Sequence, residues 1–423
     1  MTVDAKAPPL GGAQAWTVWA IAVAFVIYYF SFQTGYSIVN PVVQKDVGLS
    51  VSQVGIVAAT YTWVFAFCQF FSGALLDRLG SRRILLPCIL LVTIGVFIFA
   101  NATSFGMLLL SQLVIATGAC AGFVGAGYVG GKWFGMAKFS LMFGLVQFAA
   151  SLSSAFNQNF LNWALSTFHW RDLGNYAGVG GIMLLFVAWL WLRDRTPVAS
   201  VTDQKFGAFM GGAIQSLIRV AQIPHIWAAS AFGALCFSVM LALGVVWGPK
   251  LLMVRGLDAS SANSAASFLW LGLAAGCFVT PWSSDQLKTR KVPVLIGMAL
   301  QLAALAILLY AQSFGPAFDT FLCFLFGFGA SAHMLAFSTA ADIVEPQNIG
   351  TSAAFVNGMM FILGGVMISR PGARVGLGLD EGALPGSMEL AQFAGRPLLL
   401  GLILALLVAA LMRETYPQEQ STV

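Results

Sequence analysis

Four ionisable side chains crowd into one short stretch, Gly73-Ala74-Leu75-Leu76-Asp77-Arg78-Leu79-Gly80-Ser81-Arg82-Arg83. A carboxylate near a helix terminus can cap or pair there. Arginine offers a planar fork of donors to a carboxylate or a lipid phosphate. Gly73 permits close contact between helices. The set Gly73, Asp77, Arg78, Gly80, Arg82 and Arg83 is therefore expected to act as a latch that closes in one state and releases in another. The plainer expectation, for the arginines alone, is a topological stop signal. A weaker copy, Pro281 to Lys291, follows 208 positions later, keeping Asp285 and replacing the glycine with Pro281.

The other candidate chemistry lies in apolar stretches. Ionisable residues there are costly and usually functional. His333 is the one strongly interior titratable group apart from tyrosines, which makes it the first choice for a proton-sensitive or ligand role. The alternative is a histidine hydrogen-bonded to a neighbouring helix. Tyr29, Gln33, Tyr36 and Asn40 recur near helical spacing. Tyr61, Gln69, Gln147 and Asn157 add phenols and amides that could line a neutral solute cavity; any one of them could instead bond between helices. His333, Asp319 and Asp342 are the candidate metal ligands, while the scattered methionines read as gap-fillers. The sequence contains no nucleophile–base set and no pattern for a bound cofactor.

These residues need elements to hold them. Of 423 residues, 59% are hydrophobic and only 9% charged, far below the roughly 25% charge of soluble domains. Apolar runs of about 20 residues without period-two alternation predict membrane-spanning helices. Twelve are expected: 15–39, 52–76, 84–103, 105–129, 139–165, 174–192, 225–249, 262–283, 292–312, 317–340, 350–369 and 391–412. The expected organisation is a tail over 1–14, a six-helix bundle over 15–192, a linker over 193–224 with a surface helix near 206–220, a second bundle over 225–412, and a tail over 413–423. Lys and Arg distribute about two to one in favour of the side bearing the termini, which predicts cytoplasmic termini. The net charge of +5 belongs to these loops and does not point to nucleic acid. The 370–390 segment, Gly-rich and polar, reads as an irregular loop. Glycine clusters around Gly118–Gly131 and Gly327–Gly329 predict close helix approach, as static packing or as sliding surfaces.

The loop at 73–83, its copy at 281–291, Trp133-Phe134 before the fifth span and Glu345-Pro346-Gln347-Asn348-Ile349-Gly350-Thr351 before the eleventh together resemble the major facilitator superfamily. Lys138 stands where that family commonly has arginine. The resemblance implies an all-α membrane protein of twelve helices in two pseudo-symmetric six-helix bundles, rocking around a midplane site. Tyr28 to Tyr36, Ala59 to Phe65 and Gly125 to Lys138 are similar to the MamH-type proteins of magnetosome membranes. That narrower resemblance implies transport of iron or an iron chelate, in a bacterial inner membrane or a magnetosome membrane derived from it. A free ferric ion prefers oxygen and imidazole ligands, so a span interior without carboxylates favours a chelate. The alternatives are transport of organic anions or other small polar metabolites, with a proton or other coupling ion, and a transport-inactive scaffold or sensor.

Overall fold

The structure is a computed structural model that describes residues 8–195 and 206–417. The expected tail residues 1–7 and 418–423 and the linker core 196–205 lie outside the described residues. Among the described residues, twelve helices are long and apolar enough to cross a membrane. Spans 1 to 6 are Gly12–Tyr36, Gln53–Leu79, Ser81–Ala100, Phe105–Phe134, Met136–Thr167 and Trp170–Trp191. Spans 7 to 12 are Pro224–Val254, Ala259–Leu287, Lys291–Tyr310, Pro316–Ala341, Pro346–Asp380 and Met388–Leu411. Backbone groups have no water to bond in a bilayer core, so helices are the form that satisfies them. The linker helix runs Phe206–Ala221.

Two six-span bundles repeat one packing plan. Span 1 packs on 5, 2 on 4, and 3 on 6; span 7 packs on 11, 8 on 10, and 9 on 12. The bundles meet chiefly where span 2 lies along span 11 and span 5 along span 8. Apolar side chains such as Phe67, Phe186 and Leu407 stay exposed on the periphery, where lipid is their solvent.

The two ends of the bundle differ in how helix starts are satisfied. On the side away from the termini, local residues cap spans 2, 4, 8 and 12: Ser50 and Gln53 form a reciprocal capping box, and Ser104, Asp258 and Ser387 accept from nearby N–H groups. On the terminal side, spans 3, 9 and 11 have no local side-chain cap. Carboxylates from far along the chain serve instead. Asp194 accepts from Ser81 N at 2.7 Å and from Ser81 Oγ. Glu414 accepts from Arg290 N at 2.8 Å, Lys291 N and Thr289 Oγ1. Asp77 serves span 11.

Two elements are longer than expected. The first helix continues to Val47 through Pro41, and Asp46 near its end pairs with Arg171 at 2.9 Å. The expected loop at 370–390 is helical as far as Asp380. Arg374 holds it there, donating from Nε to the Phe393 carbonyl at 2.7 Å and stacking on the Phe393 ring at 3.8 Å. Only the short 381–387 stretch is non-helical.

Candidate functional site

Spans 4 and 10 both break at mid-height. Span 4 interrupts its helix at Cys120-Ala121, and span 10 passes through a 3-10 turn at Ser331–His333. Between these breaks lies a cavity of about 20 Å³, walled by Phe30, Phe123, Phe237, Phe337 and Phe361 and given polar character by Tyr29, Gln147, His333 and Asn357. That is room for one or two waters, so this conformation is closed around its site. Tyr29 reaches it because Gly122 faces its ring; a β-carbon at Gly122 would strike Tyr29 Cε1. His333 stacks on Phe237 with ring centres 4.5 Å apart. Its Nδ1 lies 2.7 Å from the Ala330 carbonyl. A carbonyl only accepts, so Nδ1 carries the proton and Nε2 of the neutral ring is an acceptor. Gln147 donates to Ser151 Oγ at 3.0 Å.

Of the residues expected to line a cavity, the structure brings Tyr29, Gln147 and His333 together. The others sit apart from it. Gln33 Oε1 accepts from Tyr61 Oη at 3.5 Å, and Tyr61 stacks on Phe65. Tyr36 packs against Phe99. Asn40 lies past the apolar stretch of span 1. Asn157 donates to the Ser31 carbonyl at 2.9 Å. Gln69 is fully buried and accepts from Asn357 Nδ2 at 2.9 Å. Among the described residues, Asn357, which was not among the expected cavity residues, is the one polar side chain that both lines the cavity and bonds across the two bundles. Span 11 carries it in a small-residue run that reads as packing.

Below the cavity, on the terminal side, the motif residues divide their work. A β-carbon at Gly73 would collide with the Gly350 carbonyl, so the backbones of spans 2 and 11 touch there. Asp77 accepts from Gly350 N at 3.0 Å, Thr351 N at 2.8 Å and Thr351 Oγ1 at 2.9 Å. The carboxylate thus caps the first turn of span 11 from the other bundle, where the helix dipole favours negative charge. Gly80, at φ 81°, makes the one-residue turn from span 2 to span 3. Arg82 stays within its own bundle, donating to the Trp189 carbonyl at 2.7 Å and to the Leu192 carbonyl. The Arg78 guanidinium lies against Gly212 of the linker helix, and Arg83 is exposed. Asp285, in the second copy, pairs with Arg290 at 2.8 Å rather than crossing. Its missing glycine is replaced from the partner helix: Gly144 of span 5 abuts the Cys277 carbonyl and Pro281.

The candidate metal ligands do not converge. Asp319 is fully buried against Arg255, at 2.7 Å. Asp342 pairs with Arg290 at 3.0 Å. Both carboxylates are neutralised by arginine and stand apart from His333, and among the described residues no group of three His, Cys, Asp or Glu could hold a metal ion.

A twelve-helix, two-bundle protein with a central cavity and a close inter-bundle seam invites comparison with known carriers. The profile of the Major Facilitator Superfamily matches residues 21–369. The chain belongs to that superfamily. The hexuronate transporter of Bacillus subtilis is 24% identical over 367 residues, covering 79% of this chain and 81% of that protein. The membrane sensor protein UhpC of Escherichia coli is 24% identical over 385 residues, covering 85% and 84%. The human organic anion transporter MFSD10 (TETRAN) superposes with a TM-score of 0.73 at 13% identity, over 94% of this chain and all of that one, a likeness of fold. This Major Facilitator protein is therefore an integral, multi-pass membrane transporter of small solutes.

Proposed function

We propose that this protein carries a small hydroxylated organic acid by alternating access, with a proton as the coupling ion. The observation that carries this reading is the polar set facing the cavity, two amides, a phenol and one imidazole against aromatic walls. Amides and a phenol suit the hydroxyls of a sugar acid, and the aromatic rings suit its apolar ring face. Among the described residues, no arginine or lysine lines the cavity to hold the carboxylate. His333 is the group that can supply a positive charge, and a lone charge in a closed site is costly. Carboxylate and proton then enter together, each cancelling the other's cost. The name of the Bacillus subtilis relative fits the same solute class. Iron ranks lower because the candidate ligands are dispersed and two are tied to arginines. The Asp77 contact with span 11 is the latch of the inward-closed state in this scheme.

Purified protein in proteoliposomes should accumulate labelled D-glucuronate above empty liposomes, faster with an inward proton gradient. His333→Gln should flatten that pH response. Uptake of ferric citrate with none of D-glucuronate would overturn the acid reading. Saturable binding of D-glucuronate without any uptake would point to a sensor instead, as the name of the Escherichia coli relative describes for that protein.

A further inference from the structure

Spans 2 and 11 run antiparallel and meet in ordered pairs from the terminal side upward. Asp77 meets Thr351, Gly73 meets Ala354, Gln69 meets Asn357, Phe65 meets Phe361 with ring centres 4.3 Å apart, and Thr62 meets Gly365. Gln69–Asn357 sits between the latch and the cavity, about 12 Å along the helix from Asp77 at 1.5 Å per residue.

Both amides are buried, at 0% and 3% exposure. Gln69 is fixed at both ends of its amide: Oε1 accepts from Asn357, and Nε2 donates to Ser72 Oγ at 2.8 Å. Ser72 in turn donates to the Gln69 carbonyl at 2.8 Å. Gln69 is therefore a rigid acceptor on one bundle, and the Asn357 amide is oriented by it from the other. Asn357 has two N–H donors and a carbonyl. With one donor spent on Gln69, the second and the carbonyl remain for the cavity that Asn357 lines.

We propose that the Gln69–Asn357 hydrogen bond couples solute occupancy to the gate, by orienting Asn357 toward the solute only while spans 2 and 11 are zipped. The proposal rests on the cavity being the solute site. Separation of the helices at the latch removes Gln69 from Asn357, so the solute loses an oriented donor as the terminal side opens. By thermodynamic linkage, whatever affinity the solute gains from the oriented amide it returns as stabilisation of the closed gate. Solute arriving from the far side is thus held with the gate shut, and gate opening itself lowers affinity for release. Gln69 is a positioning residue in this scheme, since it does not line the cavity.

The test uses full-length protein in lipid nanodiscs with nitroxide labels at Lys138→Cys and Gln286→Cys. Both positions are exposed on the terminal side of opposite bundles, while the native cysteines are buried or half-buried. Distances between the labels are measured with and without D-glucuronate, and binding is titrated in parallel. Gln69→Leu should shift the labels toward longer distances and weaken D-glucuronate binding on the order of tenfold, within the usual range of coupling between sites. The exchange Gln69→Asn with Asn357→Gln moves one methylene across the seam and keeps the total reach; it should restore both readings toward wild type. Wild-type distances and affinity in Gln69→Leu would overturn the proposal, as would an exchange variant no better than Gln69→Leu. If wild type binds no D-glucuronate, the acid reading falls. The label distances alone then decide the gate: longer in Gln69→Leu and restored by the exchange supports coupling through this bond, and unchanged overturns it.

Discussion

Gly122 shows how much of the site depends on one missing methyl group. The Tyr29 ring occupies the space a β-carbon would take, and Tyr29 is 2% exposed. Gly122→Ala should displace the phenol from the cavity at an overpacking cost of about 1–3 kcal/mol. The expected outcome is weakened D-glucuronate binding in a protein that still assembles, measured by titration beside size-exclusion profiles after heating. Gly180→Ala is the matched control, since its β-carbon would meet nothing; equal binding in the two variants would remove Tyr29 from the site. Asn357 teaches the complementary lesson. Nothing in its surroundings, Ala353-Ala354-Phe355-Val356-Asn357-Gly358, distinguishes a cavity amide from a packing one. Its partner Gln69 is 288 residues away.

Helix starts carry a second kind of information. Capping by neighbours, as at Ser50 with Gln53, needs only four consecutive residues and holds whatever the rest of the chain does. Capping by Asp194, Glu414 and Asp77 depends on elements staying in place. Burial raises the Glu414 carboxyl, but hydrogen bonds from Thr289 and from the N–H groups of Arg290, Tyr416 and Lys291 outweigh it and hold it down at about 2. A lowered value means that the attachment contributes fully above the ordinary glutamate range and is lost as pH falls from there through about 2. Cleavage after Arg413 by an arginine-directed protease, normalised at each pH to cleavage of an unstructured arginine peptide, should therefore be faster at pH 3 than at pH 6. Glu414→Gln should show the higher rate at both. A wild-type rate that ignores pH would mean that Glu414 does not hold this segment. The helical 371–380 stretch belongs here as well. Its glycines and charges read as a loop, and the Arg374 contacts with Phe393 of span 12 keep it helical.

Two seams join the bundles, and the closer contacts in both lie on the terminal side. In one, Gly73 of span 2 meets Gly350 of span 11; in the other, Gly144 of span 5 meets Cys277 and Pro281 of span 8. The pseudo-symmetric plan is kept although the second motif copy lacks its glycine, because the small residue has moved to the opposite helix. Gly144→Val should wedge spans 5 and 8 apart and bias the protein toward opening on the terminal side. The expected result is longer distances between labels at Lys138→Cys and Gln286→Cys, with D-glucuronate uptake reduced at least tenfold. Gly180→Val, facing open space, should behave as wild type. Wild-type uptake by Gly144→Val would exclude this contact from the gate.

Apolar runs were enough to specify twelve spans and a helix in the linker, because insertion in a bilayer is decided segment by segment from local hydropathy; the recurrence of the 73–83 motif pointed to two six-span halves. The motif at 73–83 stood out for the same reason: its spacing is local. What that motif touches was not legible. Asp77 finds its partner 274 residues away, and Arg82 turns to its own bundle instead of the other. The cavity set was half legible. Tyr29, Gln147 and His333 stand out as rare polar groups in apolar helices, whereas Gln33, Tyr36, Asn40, Tyr61 and Asn157 share that chemistry and are directed elsewhere. Which of these groups face the site depends on helix rotation, on the mid-height breaks in spans 4 and 10, and on the glycines that let two bundles touch. Those are properties of the packed assembly, since they depend on contacts between segments hundreds of residues apart.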